Sequence, residues 1–144
     1  MRHMAIDPAN PVVKLCAAGI AAEMAGHADE ARAAYHAGWE TASDAYERAI
    51  AAHYVARLVE TEDERRRWNA TALDEALRVP DPLRIAAFLP SLYLNLGHSN
   101  ESLGDLDAAR EQYRLGRESV VALGADPYAA VVRGGLDAAE QRIG

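Results

Sequence analysis

One cysteine, Cys16, stands in 144 residues, so no disulfide can close within the chain and no cysteine-rich zinc site can be built. A reducing cytoplasm is the expected setting. Aromatic residues are scarce too, with one Phe, two Trp and six Tyr, which leaves alanine to dominate the hydrophobic half of the chain. Long alternating runs of Val, Ile and Thr are missing, and with them the strand signal. No stretch approaches the roughly 18 uninterrupted apolar residues of a membrane span, and residues 1–8 lack the apolar run of a secretory signal. Basic residues are in deficit: 15 Lys and Arg against 22 Asp and Glu give a formal charge of −7. Phosphate backbones are held mainly by Lys and Arg, so this balance argues against non-specific nucleic-acid binding and favours a basic or mixed-charge partner.

What remains is helix. Alanine is the strongest helix former and lets helices approach closely. Asn10 before Pro11 reads as the cap of a first helix over 12–24, ended by Gly26-His27. Asp29 and Glu30 fall in the first turn of a second helix, where carboxylates complement the dipole. Ser43, with Glu47 behind it, reads as the cap of a third helix reaching about residue 59, and Thr61 with Glu64 as the cap of a fourth reaching Leu77. Val79-Pro80-Asp81-Pro82 is the clearest break. Beyond it Pro90 interrupts one helical pattern over 83–103 and demands either a kink or a short preliminary helix ending near Phe88. A sixth helix over about 106–123 stops at Gly124, and Asp126-Pro127 opens a last one through Arg142. Residues 1–10 are expected to be disordered or tag-derived, and 11–144 to form a single helical domain.

The chain repeats itself. Gly19, His53 and Gly97 occupy one position of successive helix pairs, Ala31, Arg65 and Ala109 a second, Tyr35, Asn69 and Tyr113 a third. The first spacing is 34 residues and the second 44, the extra residues falling around the break at 79–90. Small residues at a crossing let two helices approach, and large apolar ones fill the gaps beside it. Over 90–116, Tyr93, Leu96-Gly97, Gly104-Asp105, Ala109, Tyr113 and Gly116 fall where a tetratricopeptide repeat places its small and aromatic residues, and this segment resembles that family closely. Residues 12–40 resemble it through Leu15, Gly19, Gly26, Ala31, Tyr35 and Gly38. Residues 46–73 depart from the pattern, with His53 for glycine and Arg65 for alanine. The resemblance implies a right-handed α-α superhelix of about three tetratricopeptide-like helix pairs, with 127–142 as the C-terminal capping helix. It also implies a non-enzymatic interaction module that binds a peptide or partner protein.

In such an architecture the first helix of each pair lines a concave groove. The candidate contacts are then Cys16, Ile20 and Glu23 from the first helix, Ile50, Tyr54 and Arg57 from the third, and Leu94, Asn95, His98 and Glu101 from the fifth, each set on one face at spacings of three and four. The family's clamp for a chaperone's C-terminal carboxylate uses Lys, Asn and Arg. Here Lys14 lies on another face, so that ligand is not expected. His53 reads as a hydrogen-bonded histidine at a helix crossing, Asn69 and Asn100 as polar links between helices, and the run 62–67 as a solvated charged face. His98 and Glu101 lack the tight spacing of a metal motif, no serine sits in a recognisable triad, and no phosphate-cradling glycine loop occurs, so neither cofactor nor metal is expected. A small-molecule-binding protein or enzyme using the groove as a pocket is the alternative, and a homodimer interface a third reading.

Overall fold

A computed structural model describes residues 7–144. Among these the chain is all-α, with seven helices and no strand: α1 (Pro11–Met24), α2 (Ala28–Thr41), α3 (Ala45–Val55), α4 (Glu62–Leu77), α5 (Leu89–Ser102), α6 (Leu106–Val120) and α7 (Pro127–Ile143). Local chemistry sets the boundaries. The Asn10 side chain accepts from the backbone N–H groups of Val12 and Val13, and Pro11 opens the first turn of α1. Residues 7–10 already form a turn, with Asn10 N–H donating to the Asp7 carbonyl at 3.0 Å. Of the segment expected to be disordered or tag-derived, these four are therefore structured, and 1–6 lie outside the described residues.

Two starts differ from expectation. Asp44, not Ser43, caps α3 by accepting from Glu47 N–H at 2.8 Å. The Glu47 carboxylate reaches back to Ser43 N–H at 2.9 Å, so the capping box is present one residue later than read. The α-helical part of α3 ends at Val55, and a 3₁₀ turn (Ala56–Leu58) completes it. After the break at 79–82, a 3₁₀ turn (Pro82–Arg84) and further turns lead to α5, where Pro90 sits in the first turn and needs no kink. The inserted stretch packs back on the stack: the Arg84 guanidinium lies 4.0 Å over the Tyr46 ring, and Ile85 and Ala87 are buried.

Helices pair as hairpins, α1 with α2, α3 with α4 and α5 with α6, and each hairpin packs on the next, with α7 against α5 and α6. The outer hairpins turn alike. Gly26 and Gly104 hold φ near +84° and +83°, and the residue after each donates back into the preceding helix, to Ala22 and Asn100 carbonyls. Their crossings are alike too. A Cβ on Gly19 would stand 2.3 Å from Tyr35 Cε1, and one on Gly97 2.4 Å from Tyr113 Cε1, so each tyrosine lies flat against bare backbone. The middle hairpin departs from this, with His53 on α3 in the place of the glycine and Asn69 on α4 in the place of the tyrosine.

Candidate functional site

Each tyrosine at an outer crossing fixes a carboxylate. Tyr35 O–H donates to Glu23 Oε1 at 2.7 Å, and Arg57 grips the same carboxylate through Nε at 3.1 Å and Nη2 at 2.7 Å. Tyr113 O–H donates to Glu101 Oε1 at 2.6 Å, and Arg142 grips it through Nε at 2.8 Å and Nη2 at 3.0 Å. A second arginine repeats as well. Arg32 Nε donates to the Leu58 carbonyl at 3.2 Å and Arg110 Nε to the Ile143 carbonyl at 3.0 Å, satisfying acceptors at the ends of α3 and α7. Glycine, tyrosine, glutamate and capping arginine all recur 78 positions apart. Thus α1–α2–α3 and α5–α6–α7 are two copies of one three-helix latch, with α4 between them.

The latches are electrostatically closed. Hydrogen bonds from Arg142 and then Tyr113 hold the Glu101 carboxyl down at about 2, and Arg57 and Tyr35 lower that of Glu23. Burial first, then the bonded carboxylate, pushes the Tyr35 phenol up to about 12 and raises that of Tyr113.

Between the latches the pattern fails. The tyrosine position holds Asn69 and the glutamate position Arg57, which already faces Glu23. Beside these positions lies an open cleft of about 400 Å³ between α3, α4 and α5. Its floor is Asn69, whose buried amide donates to Ser99 Oγ at 2.9 Å and to the Asn95 carbonyl at 3.4 Å. On one wall His53 meets Phe88 edge to face at 5.3 Å, and its Nδ1 lies 3.5 Å from Asn95 Nδ2. Arg57, Arg65 and Glu62 line it from the α3–α4 side, and the exposed His98 and Ser102 from α5. Arg65 donates through Nε to the Ala56 carbonyl at 3.1 Å and pairs with Glu62. Burial holds the His53 imidazole down at about 4, which leaves it neutral at pH 7, and lowers that of His98. Each guanidinium has five N–H donors, and two are engaged in Arg57 and two in Arg65. The cleft therefore offers spare donors beside amide, hydroxyl and imidazole groups.

Of the residues expected to make contacts, Arg57, Asn95 and His98 meet at this cleft. Glu23 and Glu101 are committed to the latches. Ile50 is 4 % exposed and packs within the core, and Cys16 is buried with its thiol pushed up to about 11, so neither offers a face to a ligand. Ile20 and Tyr54 pack on the Tyr35 cluster, the Tyr54 ring stacking at 5.6 Å. Leu94 is spent against Gly135 of α7. Asn69 is the interhelical link expected of it, whereas Arg65 turns into the cleft rather than joining a solvated face. Glu62, Arg65, Ser99 and Ser102 were not anticipated as lining. Their signal was the swap of large and small residues at positions 53 and 69, which leaves a hole beside them. Among the described residues no three His, Cys, Asp or Glu side chains are placed to hold a metal ion, and no helix is long and apolar enough to cross a membrane.

No family model, curated protein or solved structure matches the chain.

Proposed function

We propose that the chain is an interaction module of the tetratricopeptide type that binds a peptide or partner protein, with the cleft between α3, α4 and α5 as its recognition site. One observation carries the reading: the chain builds the same closed latch twice and leaves it unbuilt once, and at that one place an open volume is lined with polar groups that have hydrogen bonds to spare. A volume of about 400 Å³ admits one or two side chains of an extended segment. Buried polar groups discriminate strongly when a bound partner must satisfy them, so buried Asn69 and half-buried Asn95 give the site its specificity, with exposed His98 at its edge. Binding without chemistry fits the same geometry. Ser99 Oγ receives the Asn69 amide, and His53 Nδ1 faces an amide rather than a hydroxyl, so these two are not aligned as nucleophile and base.

A random peptide library selected against the immobilised protein, followed by anisotropy titration of the selected peptides, tests this. Ser102 is exposed at the mouth, so Ser102→Trp covers the cleft without entering the core. It should weaken binding by roughly tenfold or more, as should Arg57→Glu and His98→Ala. Full affinity in all three variants removes the cleft from consideration.

A further inference from the structure

On the other side of the α3–α4 connection lies a second cavity, of about 360 Å³, that shares no residue with the cleft. Arg32 and His36 of α2, Leu58 and Glu60 of the connection, and Glu64 and Trp68 of α4 surround it. Arg32 belongs to the latch. Its Nε donates to the Leu58 carbonyl and its Nη1 to Asp29 at 2.7 Å, as Arg110 donates to the Ile143 carbonyl and to Asp107. Its Nε and Nη1 are thus engaged, and against its one positive charge the cavity sets two carboxylates, Glu60 and Glu64. Glu60 makes no hydrogen bond or ion pair within the described residues, and the Glu64 carboxylate receives only a long contact from the Thr61 hydroxyl at 3.4 Å.

Beside these carboxylates stands the Trp68 indole, crossed at 85° by Trp39 at 5.1 Å and by His36 at 5.9 Å. The two α2 members of this aromatic group, His36 and Trp39, have no counterpart in the second latch. Seventy-eight positions on, the places of His36 and Trp39 are taken by Arg114 and Arg117, which pair with Glu111, Asp137 and their neighbours. An indole next to unpaired carboxylates attracts a cation through the ring's negative face and through charge together. The net charge of −7 adds to that attraction.

We infer that this second cavity binds the cationic side chain, arginine or lysine, of a partner polypeptide. The carboxylates pair the cation while the indole covers its apolar stem. A planar guanidinium uses both features at once and is held more tightly than an ammonium. The site does not depend on the cleft between α3 and α5, so either can fail alone.

Trp68 lines this cavity and the chain's other tryptophan, Trp39, packs against it, so tryptophan emission reports on the site. Terminally blocked tripeptides with arginine, lysine or citrulline at the centre are titrated into the full chain. A saturable emission change is expected with arginine and lysine, weaker by roughly fivefold or more with uncharged citrulline. The Glu60→Gln/Glu64→Gln double variant should lose a similar factor, and glutamine keeps the capping role of Glu64. Asp74→Asn/Glu118→Gln removes the same charge at exposed sites elsewhere and should leave binding unchanged. No saturable change with either cationic peptide overturns the inference, as does equal binding of citrulline, full binding by the glutamine variant, or equal loss in the charge-matched control.

Discussion

Gly19 and Gly97 leave no room for a side chain, because a Cβ at either would overlap the tyrosine ring that lies on it. Gly19→Ala and Gly97→Ala are each expected to destabilise by about 1–3 kcal/mol in urea unfolding, the cost of forcing a packed ring aside. Gly134 is the contrast. Nothing lies within 4 Å of a Cβ there, so Gly134→Ala in the interior of α7 should stabilise by roughly 0.5–1 kcal/mol. His53 carries a pH signature. Its imidazole is held at about 4 in the folded chain against an ordinary 6.5, so below pH 6.5 the unfolded chain binds a proton that the folded one refuses. Stability should fall as pH drops from about 6.5 to 4, by about 3 kcal/mol at most, and His53→Gln should remove that slope. An NMR titration of the imidazole checks the cause directly. These glycines and tyrosines were legible because their spacing alone reveals them. The direction of the His53 exchange was legible too, but its consequence was not, since a hole is a property of what surrounds it.

At the scale of the helix, sequence chemistry located all seven elements and missed by a residue or a turn at their ends. Ser43 and Asp44 are both good caps, and the backbone chose the one whose side chain reaches Glu47 N–H. The third helix tightens to 3₁₀ at Ala56, where its carbonyl is taken by Arg65 of the next helix. Such a bond between elements leaves no mark in a local pattern. The same holds for the latches, since the arginine that closes each comes from the next first-position helix, 34 residues on in one case and 41 in the other. A double-mutant cycle on Glu101 and Arg142 should give a coupling of roughly 0.5–1 kcal/mol at low salt, shrinking as salt is added. With the Glu101 carboxyl depressed to about 2, that coupling is complete above the ordinary carboxylate range and lost as pH falls toward 2. Because the pair ties α7 to α5, Arg142→Ala should also raise amide exchange in α7 more than in α1–α3.

Taken whole, the molecule is two latched three-helix units joined through α4, with a polar cleft where a third latch is absent. The all-α stack was readable from alanine content, caps and the 34-residue period. The groove was not readable as drawn, because a helical face assigned by spacing ignores what the next helix does to it. Ile50 and Leu94 share faces with Arg57 and Asn95, yet neighbouring helices bury or cover them. Glu101 is charged and half-buried, yet it is closed by Arg142. At the interrupted position Arg57, Asn95 and His98 line an open cleft instead of a closed latch. Restoring the repeat there tests the account most directly. The double variant His53→Gly/Asn69→Tyr places the small and large residues as in the outer hairpins and fills the cleft with a ring. Calorimetric titration of a library-selected peptide into this variant should show affinity reduced by roughly tenfold or more, with the helical circular dichroism of the parent retained. Full affinity in a variant of unchanged helical content would contradict the claim that the unbuilt latch is the binding site.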